Sequence, residues 1–366
     1  MHAPDQEQLI TTFTDLARIS SPSWREAGVI RYIMKRLQKL RVPYEKHPCG
    51  ESFNLLARLP GDSSKEAILF SCHTDTVGPC EKVTPIIKGN KITSDETSIL
   101  GADNKAAIAC FLEALHLIRE KKIPHGPIEF IFSCAEEVGL YGIKGFDISQ
   151  LTATAAFVFD SSGKIGKIVV EAPFDMTMEL TMRGKAAHAG IEPERGISAI
   201  RVLSEIISRI PHGRIDAEST VNVGIISGGT ATNIVAEEAY AKLEARSRSL
   251  QQLKKIESEI RRISKHEARR YGAKASITKN LEYAGFSLNQ EQRVVSIAKR
   301  ALERIGTAPQ TVSTGGGSDT NILNRAGIPA VNLSIGMMNA HTKKEYILIT
   351  DLIKATRLVL SIIDCA

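Results

Sequence analysis

Three short apolar segments of this chain are each followed by acidic or imidazole side chains, and this repetition restricts the fold more than any other feature. The segments are 67–72, 128–133 and 155–159, and the side chains that follow them are His73, Glu136, Glu137 and Asp160. Apolar runs of this length are typical of buried strands. Ligands in open α/β sheets bind outside the carboxyl ends of the strands, so the sequence predicts one pocket for all these side chains.

Two further residues complete a set of possible metal ligands. Asp103 precedes a predicted helix over 105–119, and His341 lies near the end of the chain. Divalent metals of borderline hardness bind carboxylate and imidazole, whereas a single acid at a strand end is more often a helix cap or an ion-pair partner. The complete set favours a metal site, and we expect Asp103 to bridge two metal ions.

Asp75 and Glu136 each lie near a candidate ligand in the sequence, which suggests supporting roles for both. Asp75 lies two residues after His73 and can accept a hydrogen bond from the second imidazole nitrogen, which fixes the tautomer. Glu136 adjoins Glu137 at the end of a buried strand, where two carboxylates repel each other. If Glu137 binds metal, Glu136 can act as the general base. The alternative for this pair is a solvated acidic turn.

The order of predicted elements indicates two domains. Strands alternate with helices before residue 174, and again after residue 290, as in α/β folds. The stretch between them has the order β-α-β-β-α-β of a ferredoxin-like unit. We therefore predict an α/β catalytic domain formed by 1–174 and 284–366, with an α+β lid domain inserted at 175–283.

Composition excludes several classes of partner. The net charge is +6, and the densest basic cluster, 261–270, lies in a helical pattern that indicates a solvated helix face, so we expect no nucleic-acid partner. No apolar run is long enough for a membrane span, and the first 20 residues do not resemble a signal peptide. We expect a cytoplasmic protein with reduced cysteines.

Six elements, in this order, resemble the signatures of the co-catalytic dizinc peptidase and deacylase family. They are the segments 71–77, 101–105, 134–139, 159–160 and 184–190, and the residue His341. The resemblance spans nearly the whole chain. It implies a zinc-exopeptidase-like catalytic domain, with a mixed sheet and flanking helices, and a lid that carries the contact of a homodimer.

The same resemblance implies the roles of the candidate ligands. Asp103 would bridge two zinc ions per subunit, one also held by His73 and Asp160 and the other by Glu137 and His341. Cobalt or manganese fits the same donors. By the same resemblance, Glu136 is the catalytic base.

Five residues gain roles in substrate binding only from this resemblance. His188 would stabilise the oxyanion, although by itself it is typical of a solvated turn. Asn233 and Arg246 would grip the terminal carboxylate of the substrate, a task that suits the fork of a guanidinium group. Gly316 and Ser318 would lie in a flexible loop beside the substrate. Their alternative is a simple glycine-rich loop before a helix that Ser318 caps.

Asp160 and the segment 100–105 resemble the residues that peptidase T-like members of the family carry at the same places. We therefore predict a dizinc aminopeptidase that removes the N-terminal residue from short peptides in peptide catabolism. The alternatives are an N-acyl amino-acid amidohydrolase or a dipeptidase of the same family, or a catalytically silent peptide-binding protein. A missing ligand or base would favour the silent protein, and the sequence lacks none of them.

Overall fold

The computed structural model describes residues 3–366. Its helices are α1 (Gln6–Arg18), α2 (Ala27–Lys39), α3 (Ala102–Lys121), α4 (Tyr141–Gly145), α5 (Ala199–Ile207), α6 (Leu250–Arg270), α7 (Arg293–Arg304), α8 (Asp319–Arg325) and α9 (Ile349–Cys365). Its strands are β1 (Tyr44–Cys49), β2 (Ser52–Leu59), β3 (Ile68–His73), β4 (Ile86–Lys88), β5 (Lys91–Thr93), β6 (Ile128–Ser133), β7 (Ala155–Ser161), β8 (Lys167–Ala172), β9 (Phe174–Arg183), β10 (Gly213–Arg214), β11 (Ser219–Gly228), β12 (Glu238–Ser247), β13 (Lys274–Tyr283), β14 (Phe286–Ser287), β15 (Gln310–Ser313), β16 (Ala330–Ser334) and β17 (Tyr346–Leu348).

These elements divide into two compact units. Unit 1 comprises the chain up to Val170 together with Ser287–Ser313 and Ser318–Ala366. Unit 2 comprises Glu171–Phe286 and Thr314–Gly317. No helix within residues 3–366 is both long enough and apolar enough to cross a membrane.

Unit 1 contains a mixed sheet with the strand order β1-β2-β6-β3-β7-β16-β8-β14, and β15 pairs with β8. The central strands β6, β3, β7 and β16 are parallel to one another, whereas β1, β2 and β8 are antiparallel to their neighbours. A second, smaller sheet has the order β17-β5-β4. The carboxyl ends of the parallel strands meet at one edge, as the sequence predicted for the segments that precede His73, Glu136 and Asp160.

Phenylalanine rings join this sheet to α3. The ring of Phe70 on β3 lies 5.3 Å from that of Phe130 on β6 and 5.8 Å from that of Phe157 on β7. Phe111 of α3 contacts Phe159 edge-on at 5.3 Å. α3 is buried on every side from Ala102 to Leu115, as expected for a helix without a polar face. This packing fixes the start of α3, and therefore Asp103, relative to the strands.

Unit 2 is an antiparallel sheet of order β10-β11-β12-β9-β13, with α5 and α6 packed against it. Along β9 the buried side chains of Met178, Leu180 and Met182 alternate with partly exposed ones, which is the period of two of a strand with one covered face. Serine side chains cap both helices at their N-termini, Ser198 for α5 and Ser249 for α6. The strand order confirms the predicted ferredoxin-like arrangement.

The four residues Thr314–Gly317 lie within the predicted second part of the catalytic domain, 284–366, and their contacts group them with unit 2. The backbone N–H of Thr314 donates to the carbonyl oxygen of Glu171, and a side chain at Gly317 would collide with the ring of Tyr283. These contacts with distant residues group Thr314–Gly317 with unit 2, although α8 of unit 1 follows them almost directly in the chain. The predicted boundaries stay a proposal.

Candidate metal centre and active site

The ends of three parallel strands and the start of α3 carry four of the predicted metal ligands, and the fifth, His341, lies between β16 and β17. His73 is the last residue of β3 and lies opposite Ser133, the last residue of β6. The turn after β6 passes through Ala135, whose φ of 47° directs the chain into Glu136 and Glu137. Asp103 lies in the first turn of α3, where its dihedral angles are not helical.

Asp103 faces two histidines at once. Its Oδ1 lies 2.9 Å from Nε2 of His73, and its Oδ2 lies 3.2 Å from Nε2 of His341. The imidazole of His73 also lies 3.2 Å from Oδ1 of Asp160, and that of His341 lies 3.1 Å from Oε1 of Glu137. Each oxygen of Asp103 therefore belongs to a separate cluster of donors.

Three groups of donor atoms are compact enough to hold a metal ion, with all donor atoms of a group within 4.8 Å of one another. Their members are His73, Asp103 and Asp160 in the first group, Asp103, Glu137 and His341 in the second, and His73, Glu136 and Glu137 in the third. We call the first two groups the His73 triad and the His341 triad. Asp103 is common to both triads, which is the arrangement expected of a bridging ligand.

The electrostatics of these groups also fit a cation. Burial raises the pKa of Glu136 well above its usual range, and the nearby charge of Asp160 raises it further. Burial raises the pKa of Asp160 to about 7, although a hydrogen bond with His73 opposes this shift. Carboxylates that repel one another in a buried site are stabilised as anions by a bound cation. Imidazole and carboxylate donors in this arrangement therefore fit divalent metal ions.

Asp75 contacts both His73 and the backbone of the turn after β6. Its Oδ1 lies 3.3 Å from Nδ1 of His73, and the same Nδ1 lies 3.0 Å from the main-chain oxygen of Asp75. Its two carboxylate oxygens also accept the backbone N–H groups of Glu136 and Glu137, each at 3.1 Å. The hydroxyl of Ser23 donates to Oδ2 at 2.7 Å. Asp75 therefore orients His73 and fixes the backbone of the turn after β6.

Several buried residues that no sequence pattern indicated hold the ligand-bearing backbone. The carboxylate of Glu26 accepts the backbone N–H of Ala135, and the side chain of Asn54 accepts that of Cys134. Asn104 donates to the carboxylate of Asp160 at 3.1 Å. Glu345 accepts three backbone N–H groups at the start of α3. No local pattern could have found these residues, because their partners are distant in sequence.

In unit 2 the structure brings His188 and Asn233 together. The two segments form a bridge between His188 and Ile234, and the N–H of Ala189 donates to the carbonyl oxygen of Asn233 at 2.9 Å. Both predicted residues are exposed. Nδ1 of His188 accepts the N–H of Gly190, so a local hydrogen bond orients the ring.

Arg246 lies on β12 and is partly buried. Its Nη2 lies 2.9 Å from Oε2 of Glu244 and 3.3 Å from Oδ2 of Asp175, and its Nη1 donates to the carbonyl oxygen of Gly315. Burial raises the pKa of Asp175 to about 6, against the opposing charge of Arg246. The guanidinium group is therefore held in place by unit 2. It is adjacent to residues 314–317 of the same unit, which we call the glycine-rich segment together with Ser318.

The two predicted residues of that segment belong to different units. Gly316 is in unit 2, where its N–H donates to the hydroxyl of Thr314. Ser318 is in unit 1, where its buried side chain caps α8 by accepting the N–H of Thr320 and also accepts from Asn332. The cap that the sequence analysis gave as the alternative role of Ser318 is present. Its contact with substrate remains a prediction.

Comparisons with known proteins agree with this architecture. Residues 176–272 match the family model of a peptidase dimerisation domain, and residues 54–188 match that of peptidase family M28. The chain is 38% identical to the uncharacterized protein YqjE of Bacillus subtilis over 98% of each chain. It is 39% identical to a structure described as aminopeptidase PepT from Bacillus cereus, with a TM-score of 0.90 and 99% of each chain covered.

A structure described as a tripeptidase from Staphylococcus aureus is also similar. It is 34% identical, with a TM-score of 0.94, and the match covers 99% of this chain and 98% of that one. The chain belongs to the peptidase T-like branch of the M20 peptidase family. This membership confirms the predicted resemblance and the predicted fold class. Metal dependence is a property of the M20 family, and the two triads of this peptidase T-like chain fit it.

Proposed function

We propose that this peptidase T-like chain is a metallo-aminopeptidase that removes the N-terminal residue from short peptides, with two zinc ions held by the His73 triad and the His341 triad. The observation that supports it most strongly is the position of Asp103, whose two oxygens each contact a different histidine. Family membership agrees with the general assignment of a metal-dependent peptidase. Zinc suits the donor set, and cobalt or manganese could occupy the same ligands.

The residues of unit 1 would bind the metal ions and transfer the proton. The bound metal ions would polarise the scissile carbonyl group and acidify water. Glu136 accepts the proton of the attacking water and returns it to the amine that leaves. Its main chain is held by Asp75, and burial together with the charge of Asp160 raises its pKa, which favours the uptake of a proton from water.

We assign the recognition of substrate to unit 2 and to the glycine-rich segment. His188 donates to the oxyanion, and Asn233 and Arg246 bind the terminal carboxylate of the peptide. Gly316 and Ser318 border the bound substrate. The fixed guanidinium group of Arg246 supports this assignment, since an ordered fork loses little conformational freedom when it binds a carboxylate.

We also propose that the protein is a homodimer through unit 2 and acts in cytoplasmic peptide catabolism. The match of residues 176–272 to a peptidase dimerisation domain supports the dimer. Ile225 and Ile226 on β11 are 54% and 57% exposed, and the edge strand β10 pairs with β11 only at Thr220 and Val221. An exposed apolar strand close to an open sheet edge favours association with another chain.

Replacing the proposed base should separate turnover from metal binding. We expect Glu136→Gln to retain both metal ions and to lower kcat by at least about 100-fold, since general-base removal has effects of that size. Metal analysis after dialysis and steady-state kinetics on a tripeptide would test this. Glu137→Gln is the matched control, and it should lose metal because Glu137 belongs to the His341 triad. Near-normal turnover of Glu136→Gln would mean that the pair is only an acidic turn.

The state of the substrate's amino end should decide between an aminopeptidase and a deacylase. A free peptide presents an ammonium group to an acidic site, and acetylation removes that charge and adds bulk. We therefore expect kcat/KM to be at least about tenfold higher for free di- and tripeptides than for their N-acetyl forms. The ratio of kcat/KM values is the quantity to compare, since it measures discrimination directly. A higher kcat/KM for N-acetyl amino acids would contradict the aminopeptidase proposal.

The proposed role of Arg246 can be tested at the other end of the substrate. Arg246→Ala should raise KM about tenfold or more for peptides with a free carboxylate, the usual scale of a charge-assisted pair, and change KM little for C-amidated peptides. Arg248→Ala is the matched control, because Arg248 pairs with Glu171 and is assigned no contact with substrate. An equal change of KM for both kinds of peptide would show that Arg246 only stabilises unit 2.

A further inference from the structure

Glu345 is a buried carboxylate of unit 1 that belongs to neither triad. Glu345 lies four residues after His341, directly before β17, and is 0% exposed. Its Oε2 accepts the backbone N–H of Gly101 at 2.7 Å and that of Ala102 at 3.2 Å. Its Oε1 accepts the backbone N–H of Asp103 at 3.0 Å.

These three hydrogen bonds occupy both oxygens of Glu345 and fix consecutive peptide groups. The first N–H groups of a helix have no partner within the helix, so an outside acceptor must satisfy them when they are buried. Gly101 has a φ of 75°, so the chain turns sharply into α3 at the first of the bound N–H groups. The backbone of Asp103 is therefore fixed by a residue 242 positions away in the sequence.

We propose that Glu345 is a positioning residue that sets the Asp103 carboxylate between the His73 triad and the His341 triad before any metal ion binds. This inference rests on the proposed function, since it assumes that the two triads hold metal. Glu345 contacts no donor atom of either triad in the described chain, but acts through the backbone of Asp103. A shift of Asp103 disturbs both triads, so the loss of Glu345 should weaken both metal sites together.

An amide cannot replace this carboxylate. In Glu345→Gln the side-chain NH₂ group replaces one oxygen, and whichever oxygen it replaces then places an N–H donor against a backbone N–H donor. A buried donor without an acceptor is costly, so the start of α3 must move or lose its hydrogen bonds. The substitution keeps the size of the side chain, but it removes the second acceptor and the negative charge.

Glu129 provides a matched control. It is also buried, at 2% exposed, and its carboxylate accepts the backbone N–H groups of Thr152 and Ala153 at 3.0 Å each. It lies near the beginning of β6, whereas the ligand-bearing turn follows the end of that strand. Its Oε1 also lies 3.3 Å from Nε of Arg58. Glu129→Gln therefore alters the same kind of carboxylate contact with loop N–H groups, together with this ion pair, at the end of the strand remote from the triads.

The experiment measures metal affinity and stability separately. The full chain, freed of metal, is titrated with Zn²⁺ by calorimetry and with Co²⁺ by visible absorption, and its thermal midpoint Tm is recorded without metal. We expect both glutamine variants to lower this Tm. Only Glu345→Gln should weaken the binding of both metal equivalents, by about 10- to 100-fold, as found for groups that orient metal ligands. Its Co²⁺ spectrum should also change.

A second variant keeps the test decisive if Glu345→Gln does not fold. Glu345→Asp retains the charge and both oxygens but is shorter by one methylene, so it should fold and bind both metal ions with an affinity between that of the original chain and that expected for Glu345→Gln. Unchanged affinity and an unchanged Co²⁺ spectrum in either Glu345 variant would overturn the inference. So would an equal loss of affinity in Glu129→Gln. Failure of the unsubstituted chain to bind Zn²⁺ or Co²⁺ would instead contradict the proposed function.

Discussion

The arrangement of the site depends on one carboxylate that contacts two imidazoles. Asp103 presents Oδ1 to His73 and Oδ2 to His341, and each histidine contacts one further carboxylate. With Glu136, four buried or half-buried acidic residues converge with two histidines. Such a group is electrostatically unfavourable by itself, as the raised pKa values of Glu136 and Asp160 indicate. A pair of divalent cations turns the same repulsion into attraction.

The fold holds these mutually repelling side chains close together by fixing the backbone around them. Phenylalanine packing between β3, β6, β7 and α3 aligns the elements that carry the ligands. Buried polar side chains then hold individual peptide groups. Consecutive N–H groups from Cys134 to Glu137 are accepted by Asn54, Glu26 and Asp75, and those from Gly101 to Asp103 by Glu345. Ligands that are placed in advance lose less conformational freedom when a metal ion binds.

Local sequence patterns were sufficient for the residues that point into the site. An apolar run followed by an acid or a histidine identifies a strand and its exposed end at once, which is why His73, Glu136 and Asp160 could be grouped without a structure. The residues that hold the backbone left no such pattern. Glu345 and Asn54 each bond to peptide groups 80 or more positions away, and any carboxylate or amide could do so in principle. Likewise, chain continuity does not reveal that Thr314–Gly317 contact unit 2, because the contacts with Glu171 and Tyr283 depend on tertiary structure.

Metal content provides the most direct test of the claim that Asp103 serves two metal sites. The full chain and the variants Asp103→Ala and Asp160→Ala are dialysed against metal-free buffer, and their bound metal is measured by mass spectrometry. We expect two tightly bound metal ions in the unsubstituted chain. Asp103→Ala should lose both, because the triads share that carboxylate, whereas Asp160→Ala should chiefly weaken the site that contains His73. If Asp103→Ala retained two tightly bound metal ions, Asp103 would not be the bridging ligand and the account would be wrong.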